Sequence, residues 1–231
     1  MEMQQRDIEE RDIEVRVSRL PESAKFKVHV RGGESPESRT DVEDVVEDLD
    51  CLRSMVMNRM TKTSEVAVKV YLSSCGLGHV PSWVFDLARL TWGDLVENRL
   101  TWLDLSDNQL TCLPEEISGL DNLRVLNLER NRLTGLPKEI SGLKSLRVLN
   151  LDKNQLMCLP KEIGRLWHLT GLYLERNRLT DVLPGIRELK KLKKLDLSWN
   201  QLTSVPPWIG ELTELTDLSV SGCGGFGGWW R

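Results

Sequence analysis

The feature that most constrains the fold of this chain is a line of twenty-three residues that recurs without a break from Leu100. Five complete lines follow the pattern LxxLxLxxNxLxxLPxxIxxLxx, and a sixth begins at Leu215. A match of this length at a fixed period is not coincidence, and self-similarity at about 20 to 50 residues is typical of a solenoid. One line cannot bury its own leucines, so the lines must stack and share a continuous core.

Each part of the line has a structural role. The LxL segment alternates apolar residues such as Leu103 and Leu105, which points them inward from a short strand. The LPxxIxxL segment returns the chain through short helical or 3-10 turns, where a recurring isoleucine enters the core. The pattern therefore predicts an α/β fold, a right-handed solenoid with a parallel sheet on its concave side and short turns on its convex side.

One polar position recurs where the chain leaves each strand. An inward amide at this position can bond main-chain groups of adjoining coils, so we expect a structural ladder along the solenoid. Its members are Asn108, Asn131, Asn154, Asn177 and Asn200, with Cys75 and Cys223 at the same position in the first and last coils. Cysteine is an accepted alternative there, which predicts two buried structural thiols. Cys112 and Cys158 lie two coils apart, about 10 Å, which is beyond disulfide reach, so both are expected to be free thiols.

A ten-residue segment interrupts the repeat. Residues 67–89 fit the template, and residues 90–99, LTWGDLVENR, then resemble the start of the next line without completing it. Ten residues extend at most about 35 Å, too little for a whole coil, so we interpret 90–99 as an insertion outside the concave sheet. Because Val84, Leu87 and Leu95 approximate a helical apolar stripe, we expect a long convex helix over about 82–97.

The N-terminal residues do not follow the repeat. IEVRVSRL and KFKVHVRGG alternate apolar residues and predict a β-hairpin. The following DVEDVVEDLDCLRSMVMNRM places Val42, Val45 and Leu49 on one face of a helix, which predicts a cap for the open first coil. Six acidic residues within 41–50 then form the solvated face of that helix or, alternatively, a docking surface for a basic partner.

These patterns divide the chain into three parts. Residues 1–62 form an acidic segment of hairpin plus capping helix, residues 63–223 form the repeat domain, and residues 224–231 form a tail rich in glycine and tryptophan. No recognisable cap sequence follows the last line. Either the aromatic tail covers the end of the solenoid, or the chain is part of a longer protein.

Charge and hydropathy narrow the classes of partner. Residues 1–62 contain 11 basic and 15 acidic side chains, which accounts for the net charge of −4, whereas the remainder contains 20 of each. A balanced repeat domain lacks the basic stripe that phosphate binding needs, so no nucleic-acid partner is predicted. No apolar run reaches the length of a signal peptide or a membrane span, which predicts a cytoplasmic protein.

The sequence contains none of the common catalytic or ligand-binding motifs. Its three histidines, His29, His79 and His168, are far apart along the sequence, and there is no phosphate loop, nucleophile elbow or metal-ligand spacing. We therefore predict a noncatalytic chain with no cofactor, no metal and no small-molecule substrate.

The outward strand positions supply candidates for binding. Large exposed rings on an ordered concave sheet are typical anchors, each contributing about 2 kcal/mol or more, unless they pack over their neighbours instead. Stacked acidic and basic columns beside them orient a partner, or neutralise each other. The candidate partner-binding residues are Trp102, Tyr173, Trp199, Arg130, Arg176, Glu129 and Glu175.

Over about 67–223 the lines resemble the cytosolic twenty-three-residue leucine-rich repeats of Ras-group signalling scaffolds, their plant intracellular relatives and the Scribble and Erbin-type adaptors. One line departs from the pattern, because Leu183 stands where the others have proline. The resemblance implies a noncatalytic scaffold in signal transduction that binds a protein, such as a small-GTPase or phosphatase signalling component. The alternative is a regulatory or sensor segment of a larger enzyme or of a nucleotide-binding immune-type protein.

Overall fold

The computed structural model describes residues 13–19, 26–31, 42–46, 67–86, 91–92, 95–96, 100–182 and 184–223. Twelve strands, one short helix and five 3-10 turns lie within these ranges. The strands are β1 (Ile13–Arg19), β2 (Phe26–Arg31), β3 (Val42–Val46), β4 (Val68–Tyr71), β5 (Thr91–Trp92), β6 (Leu95–Val96), β7 (Leu100–Asp104), β8 (Val125–Asn127), β9 (Val148–Asn150), β10 (Gly171–Tyr173), β11 (Lys194–Asp196) and β12 (Asp217–Ser219). The helix is α1 (Trp83–Asp86).

One sheet carries the solenoid. Its strand order is β12-β11-β10-β9-β8-β7-β4-β1-β2-β3. Within this order the strands from β12 to β1 are parallel to one another, whereas β2 is antiparallel to β1 and β3 is antiparallel to β2. The predicted parallel solenoid is confirmed. Because each repeat has the same length, the central leucine of one strand lies beside that of the next, as Leu103 does beside Leu126. These stacked leucines are fully buried in the interior coils, and each such burial stabilises the fold by about 2 kcal/mol.

The convex side is built from 3-10 turns. They span Glu115–Gly119, Lys138–Gly142, Lys161–Arg165, Pro184–Glu188 and Pro207–Glu211. A proline with extended backbone precedes four of them. In the fourth line, where the proline is shifted by one position, Pro184 becomes the first residue of the turn. Ile186 is still buried there, so the departure changes how the turn begins and leaves its core contact in place.

The asparagine side chains link successive coils. Asn154 Nδ2 donates to the carbonyl oxygen of Leu128 in the preceding coil at 2.9 Å, and its Oδ1 accepts from the backbone N–H of Leu133 in that coil at 3.0 Å. The same amide also donates to Leu151 O within its own coil at 3.1 Å. Equivalent pairs of bonds to the preceding coil are made by Asn108, Asn131, Asn177 and Asn200. Each amide therefore satisfies buried backbone groups that no strand pairing reaches.

Two cysteines take the asparagine position in the first and last coils. The Cys223 thiol donates to Leu197 O at 3.4 Å, with the same sequence separation as the bond from Asn200 to Leu174 O. The Cys75 thiol donates to Val17 O, also at 3.4 Å. Both side chains are buried, and burial raises the pKa of the Cys75 thiol to about 11. A thiol has no second polar atom, so it provides the donor of an asparagine without the amide acceptor.

The first coil is covered by the N-terminal hairpin. Strand β1 pairs in parallel with β4 and buries Val15 and Val17 against the core, so it occupies the place of a preceding coil. The predicted capping helix is wrong over Val42–Val46, which forms strand β3 beside β2. Three valines in five residues favour a strand, and the free edge of β2 offers unpaired backbone groups, so tertiary pairing overrides the short helical pattern. The remainder of that predicted helix lies outside the described residues.

The insertion lies outside the main sheet, but it is not a long helix. Strand β4 pairs directly with β7, while β5 and β6 form a separate antiparallel pair in which Trp92 faces Leu95. Helix α1 ends at Asp86, so the predicted helix over 82–97 is wrong. The sequence Gly-Asp between Trp92 and Leu95 is a signal for a two-residue hairpin loop, and glycine disfavours a helix interior.

The last coil is less buried than the others. Leu218 occupies the inward position of β12, yet its side chain is 39% exposed, whereas the equivalent Leu195 of β11 is 1% exposed. Residues 224–231, which were expected to cover this end, lie outside the described residues. Among the described residues, no helix is long and apolar enough to cross a membrane.

We predict that Asn154→Ala destabilises the fold by about 3 kcal/mol. The change leaves the buried Leu133 N–H without its side-chain acceptor, and an unsatisfied buried group costs about 1–3 kcal/mol. It also removes one of the two side-chain donors of the Leu128 carbonyl, which keeps Asn131 Nδ2 at 3.1 Å. Urea denaturation followed by circular dichroism measures the loss. Gln109→Ala, at the exposed position just after Asn108, is the control and should change the free energy of unfolding by less than about 0.5 kcal/mol. Equal effects of the two substitutions would contradict a structural role for the ladder.

Candidate functional site

The concave face consists of the outward side chains of β4 and β7 to β12 together with the residues that immediately follow each strand. Its geometry is regular because the strands are in register, as in the row of Asp104, Asn127 and Asn150. The residues just before each ladder position adopt positive φ angles of 53° to 57° at Asp107, Arg130, Lys153, Arg176 and Trp199, and Gly222 follows at 70°. Their N–H groups still donate to the next coil, as Arg130 N does to Asp152 O at 2.9 Å. The turn thus presents a straight column of side chains beside the sheet.

Charges on this face are largely paired with one another. Lys153 Nζ contacts Glu129 Oε1 at 2.5 Å, and Arg176 Nε lies 3.4 Å from Glu175 Oε1. Arg130 lies 3.5 Å from both Glu129 and Asp107. Exposed pairs of this kind contribute little to stability. Their effect is to neutralise the face locally, while the Arg130 and Arg176 side chains stay 56% exposed and open to a partner.

One carboxyl on this face is perturbed. Asp152 lies between Glu129 and Glu175 in the acidic column and is half-buried. Burial raises the pKa of its carboxyl to about 6, and the carboxylates of Asp196, Glu175 and Glu129 act in the same direction. The Glu175 N–H, which donates to Asp152 Oδ1 at 2.6 Å, lowers the pKa and opposes the shift.

Trp102 is not the exposed ring that its strand position suggests. It is half-buried, its centroid lies 6.1 Å from the Tyr71 ring, and its Nε1 is enclosed without a hydrogen-bond partner. The Arg16 guanidinium lies over the other aromatic member of the pair, 4.1 Å from the Tyr71 centroid. Packing between neighbouring strands, which was the alternative interpretation, describes Trp102 well. Arg16 lies before the repeat and was not predicted as a site residue. Tyr71 was not predicted either, although 67–89 fit the template and Tyr71 occupies the same outward position as Tyr173.

Tyr173 and Trp199 lie together near the other end of the face. The Tyr173 ring covers Gly171, where an added Cβ would lie 3.2 Å from the ring, and the tyrosine is half-buried. Trp199 is 56% exposed and rests against Gly222, where a Cβ would lie only 2.6 Å from the indole. The Arg176 guanidinium lies 5.8 Å from the Trp199 ring centroid, within range of a cation–π contact.

Five of the seven predicted site residues thus form two groups, and Glu129 and Arg130 form an ion pair on the coil of β8 between them. Tyr173, Arg176 and Trp199 lie on adjacent coils, with Glu175 beside Arg176. Trp102 is three coils from Tyr173, about 14 Å at the usual strand spacing, and belongs with Tyr71. Only the first group combines an exposed ring with an exposed cation.

Two exposed apolar side chains outside the concave face were missed. Trp167 is 67% exposed in the turn before β10, and Met157 is 60% exposed after the ladder position of its coil. The exposure of Trp167 could have been predicted from the sequence, because the residues at its position in other lines, Asp121, Lys144 and Lys190, are polar. Among the described residues, no cluster of three or more His, Cys, Asp or Glu side chains is placed to hold a metal ion.

Comparison with known proteins agrees with this architecture. A family model described as leucine rich repeat matches residues 98–156 and 168–224, half of the chain. A leucine-rich repeat protein of Leptospira interrogans is 35% identical in sequence, with 71% of this chain and 45% of that one covered at a TM-score of 0.59. The chain thus spans less than half the length of that protein. No curated protein matches the sequence.

Two further solved structures share the fold. The ectodomain of the plant receptor kinase GASSHO1/SCHENGEN3 from Arabidopsis thaliana, in complex with CASPARIAN STRIP INTEGRITY FACTOR 2, is 32% identical over 70% of this chain and 22% of its own, with a TM-score of 0.51. An internalin of Listeria monocytogenes covers 70% of this chain and 43% of its own at 22% identity and a TM-score of 0.57, which shows the fold alone.

We predict that Asp152→Asn stabilises the protein near pH 8 and has no effect near pH 4. A carboxyl whose pKa is raised on folding keeps a proton that the unfolded chain has lost, so the native state loses stability as the pH rises from about 4 through about 6. Asparagine keeps an oxygen to accept from the Glu175 N–H and carries no charge. Denaturant midpoints measured between about pH 4 and 8 test this, with the exposed Asp217→Asn as control. A gain that does not vary with pH would contradict the assignment to Asp152.

Proposed function

This chain belongs to the leucine-rich repeat family, and we propose that it is a noncatalytic scaffold that binds a partner protein on its concave face. The observation that carries the proposal is the group formed by Tyr173, Arg176 and Trp199. An indole more than half exposed lies beside an exposed guanidinium on a sheet whose register is fixed by buried hydrogen bonds. Tryptophan, tyrosine and arginine are the residue types most enriched at interface hot spots.

The arrangement has the features of a preorganised binding surface. Gly222 contacts the Trp199 ring from one side. Trp199 has the positive φ that its position in the column requires. Immobilising this ring on binding therefore costs little conformational entropy. Glu175 lies beside Arg176 next to the rings, and Glu129 pairs with Arg130 two coils away on the same face. These paired charges favour a partner whose own charges match the columns. Trp102 takes part through its tilted ring contact with Tyr71 at the far end of the face.

The comparisons support a binding function at this coarse level. The plant ectodomain is in complex with CASPARIAN STRIP INTEGRITY FACTOR 2, and a TLR13 structure that is 29% identical is in complex with ssRNA13. A cytoplasmic location and a place in small-GTPase or phosphatase signalling stay proposals, carried by the repeat type alone. For this chain we favour protein over nucleic acid because the concave cations are paired with carboxylates.

A second candidate function is regulation within a larger enzyme or a nucleotide-binding immune-type protein. The 39% exposure of Leu218, which is an inward core position, favours it, because further protein packed on the last coil would bury that side chain. In that case the repeats would restrain the neighbouring domain, or would sense a signal on its behalf.

We predict that Trp199→Ala combined with Arg176→Ala weakens partner binding at least about 30-fold, equivalent to about 2 kcal/mol for one hot spot. Partners are captured from a native lysate, identified by mass spectrometry, purified and titrated against each variant. The matched control is Glu116→Ala with Lys138→Ala on the convex turns, which should change affinity less than about twofold. Trp102→Ala is a poor probe because it removes a packed ring. Loss with the convex control and not with the concave variant would contradict the proposal.

A further inference from the structure

A second surface lies where the chain enters each strand. The strand-start edge comprises, in each coil from β8 to β11, the exposed residues from the last residue of the 3-10 turn to the residue just before the strand. In the turn before β10 this edge presents Trp167, which is 67% exposed and therefore more exposed than Trp199. The equivalent residue in the other lines is polar, namely Asp121, Lys144, Lys190 and Thr213. This indole lies outside the hydrophobic core and is open to a partner.

Basic side chains surround this tryptophan. They are Arg124, Lys144, Arg147, Arg165, Lys190, Lys191 and Lys193, and all are exposed. Backbone bonds fix their alignment, since Arg147 N donates to Arg124 O and Lys193 N donates to Thr170 O, both at 2.8 Å. Lys144 and Lys190 occupy the position of Trp167 in the coils on either side. The ring thus lies at the centre of a positively charged patch.

These cations differ from those of the concave face because they outnumber the carboxylates around them, although the exposed Glu188 lies among them at the position that Arg165 has in the preceding coil. Within the described part of the chain, Lys144, Arg147, Arg165 and Lys190 make no ion pair. Lys193 reaches Glu214 only at 4.0 Å. Like charges one strand spacing apart repel by about 0.8 kcal/mol per pair in water, and Glu188 offsets only part of this repulsion.

The ends of the patch limit what it can hold. Asp121 marks one end, and Glu211, Glu214 and Asp217 mark the other, so the basic region covers the coils of β8 to β11. Three coil spacings are about 14 Å, which fits about four residues of an extended peptide. A long polyanion would continue past the patch onto carboxylates, whereas a short acidic segment would not.

We propose that the strand-start edge binds an acidic protein segment that places an apolar side chain against Trp167. Carboxylates of the segment pair with the lysines and arginines on both sides, and the indole supplies the apolar contact that distinguishes the site from a diffuse charged surface. This surface is separate from the concave face, so the chain can hold two partners or two parts of one partner.

The test uses a fluorescein-labelled peptide, DELDELED, and its neutral counterpart NQLNQLQN, measured by fluorescence anisotropy at low salt with the full chain. The acidic peptide should bind and the neutral one should not. Lys190→Glu with Lys191→Glu should weaken binding at least about tenfold, and Trp167→Ala about fivefold. The matched control carries the same charge change on the convex turns, Lys138→Glu with Lys161→Glu, and should weaken binding less than about twofold. All four lysines and the tryptophan are exposed, and circular dichroism confirms folding.

Four results would overturn the proposal. These are no binding of the acidic peptide, equal weakening by the convex control, no effect of Trp167→Ala, and tighter binding of a twenty-nucleotide poly-dT strand lost in the same variants. The last would identify the edge as a nucleic-acid site. None of them affects the concave-face proposal, because Trp199 and Arg176 remain intact in every variant.

Discussion

The structure depends on the hydrogen bonds that each ladder asparagine makes to the coil before it. A short strand of three residues leaves buried backbone groups unpaired where the chain turns away, and the amide supplies a donor and an acceptor for them at about 3 Å. This fixes the register of the parallel strands, and the register aligns the leucines inside and the side-chain columns outside. At the two ends a thiol replaces the amide and keeps only the donor, as Cys75 does toward Val17 of the hairpin.

The repeat let the sequence predict most of the fold, and the segments outside the repeat account for the errors. The positions of Leu103, Asn154 and Ile140 follow from periodicity alone, because every coil buries the same positions of its line. The strand at Val42–Val46 and the hairpin pair of Thr91–Trp92 with Leu95–Val96 do not, since each was read from a short apolar pattern that fits a helix and a strand equally well. What decided between them was the free edge of a neighbouring strand, which no local pattern reveals.

The site was less predictable than the fold for a related reason. Periodicity placed Trp102, Tyr173 and Trp199 on the concave face, but it could not show which rings pack and which stay exposed. Trp102 is half-buried against Tyr71, whereas the Trp199 ring lies against Gly222 and stays exposed. Likewise the balanced charge of the repeat domain conceals an uneven distribution. Cations on the concave face are paired with carboxylates, and those around Trp167 are largely unpaired. The two surfaces therefore favour different partners.

The most direct test of the account is native-state hydrogen exchange at the backbone N–H groups that donate to the ladder amides. Leu110, Leu133, Leu156 and Leu179 each donate to the asparagine of the following coil at 3.0 Å. If the ladder holds the coils in register, these four amides exchange only on global unfolding, like those of the central strands. Exchange as fast as that of the exposed residues that follow them, Thr111 and Thr134 among them, would show that the coils separate locally and that the amides do not hold the sheet together.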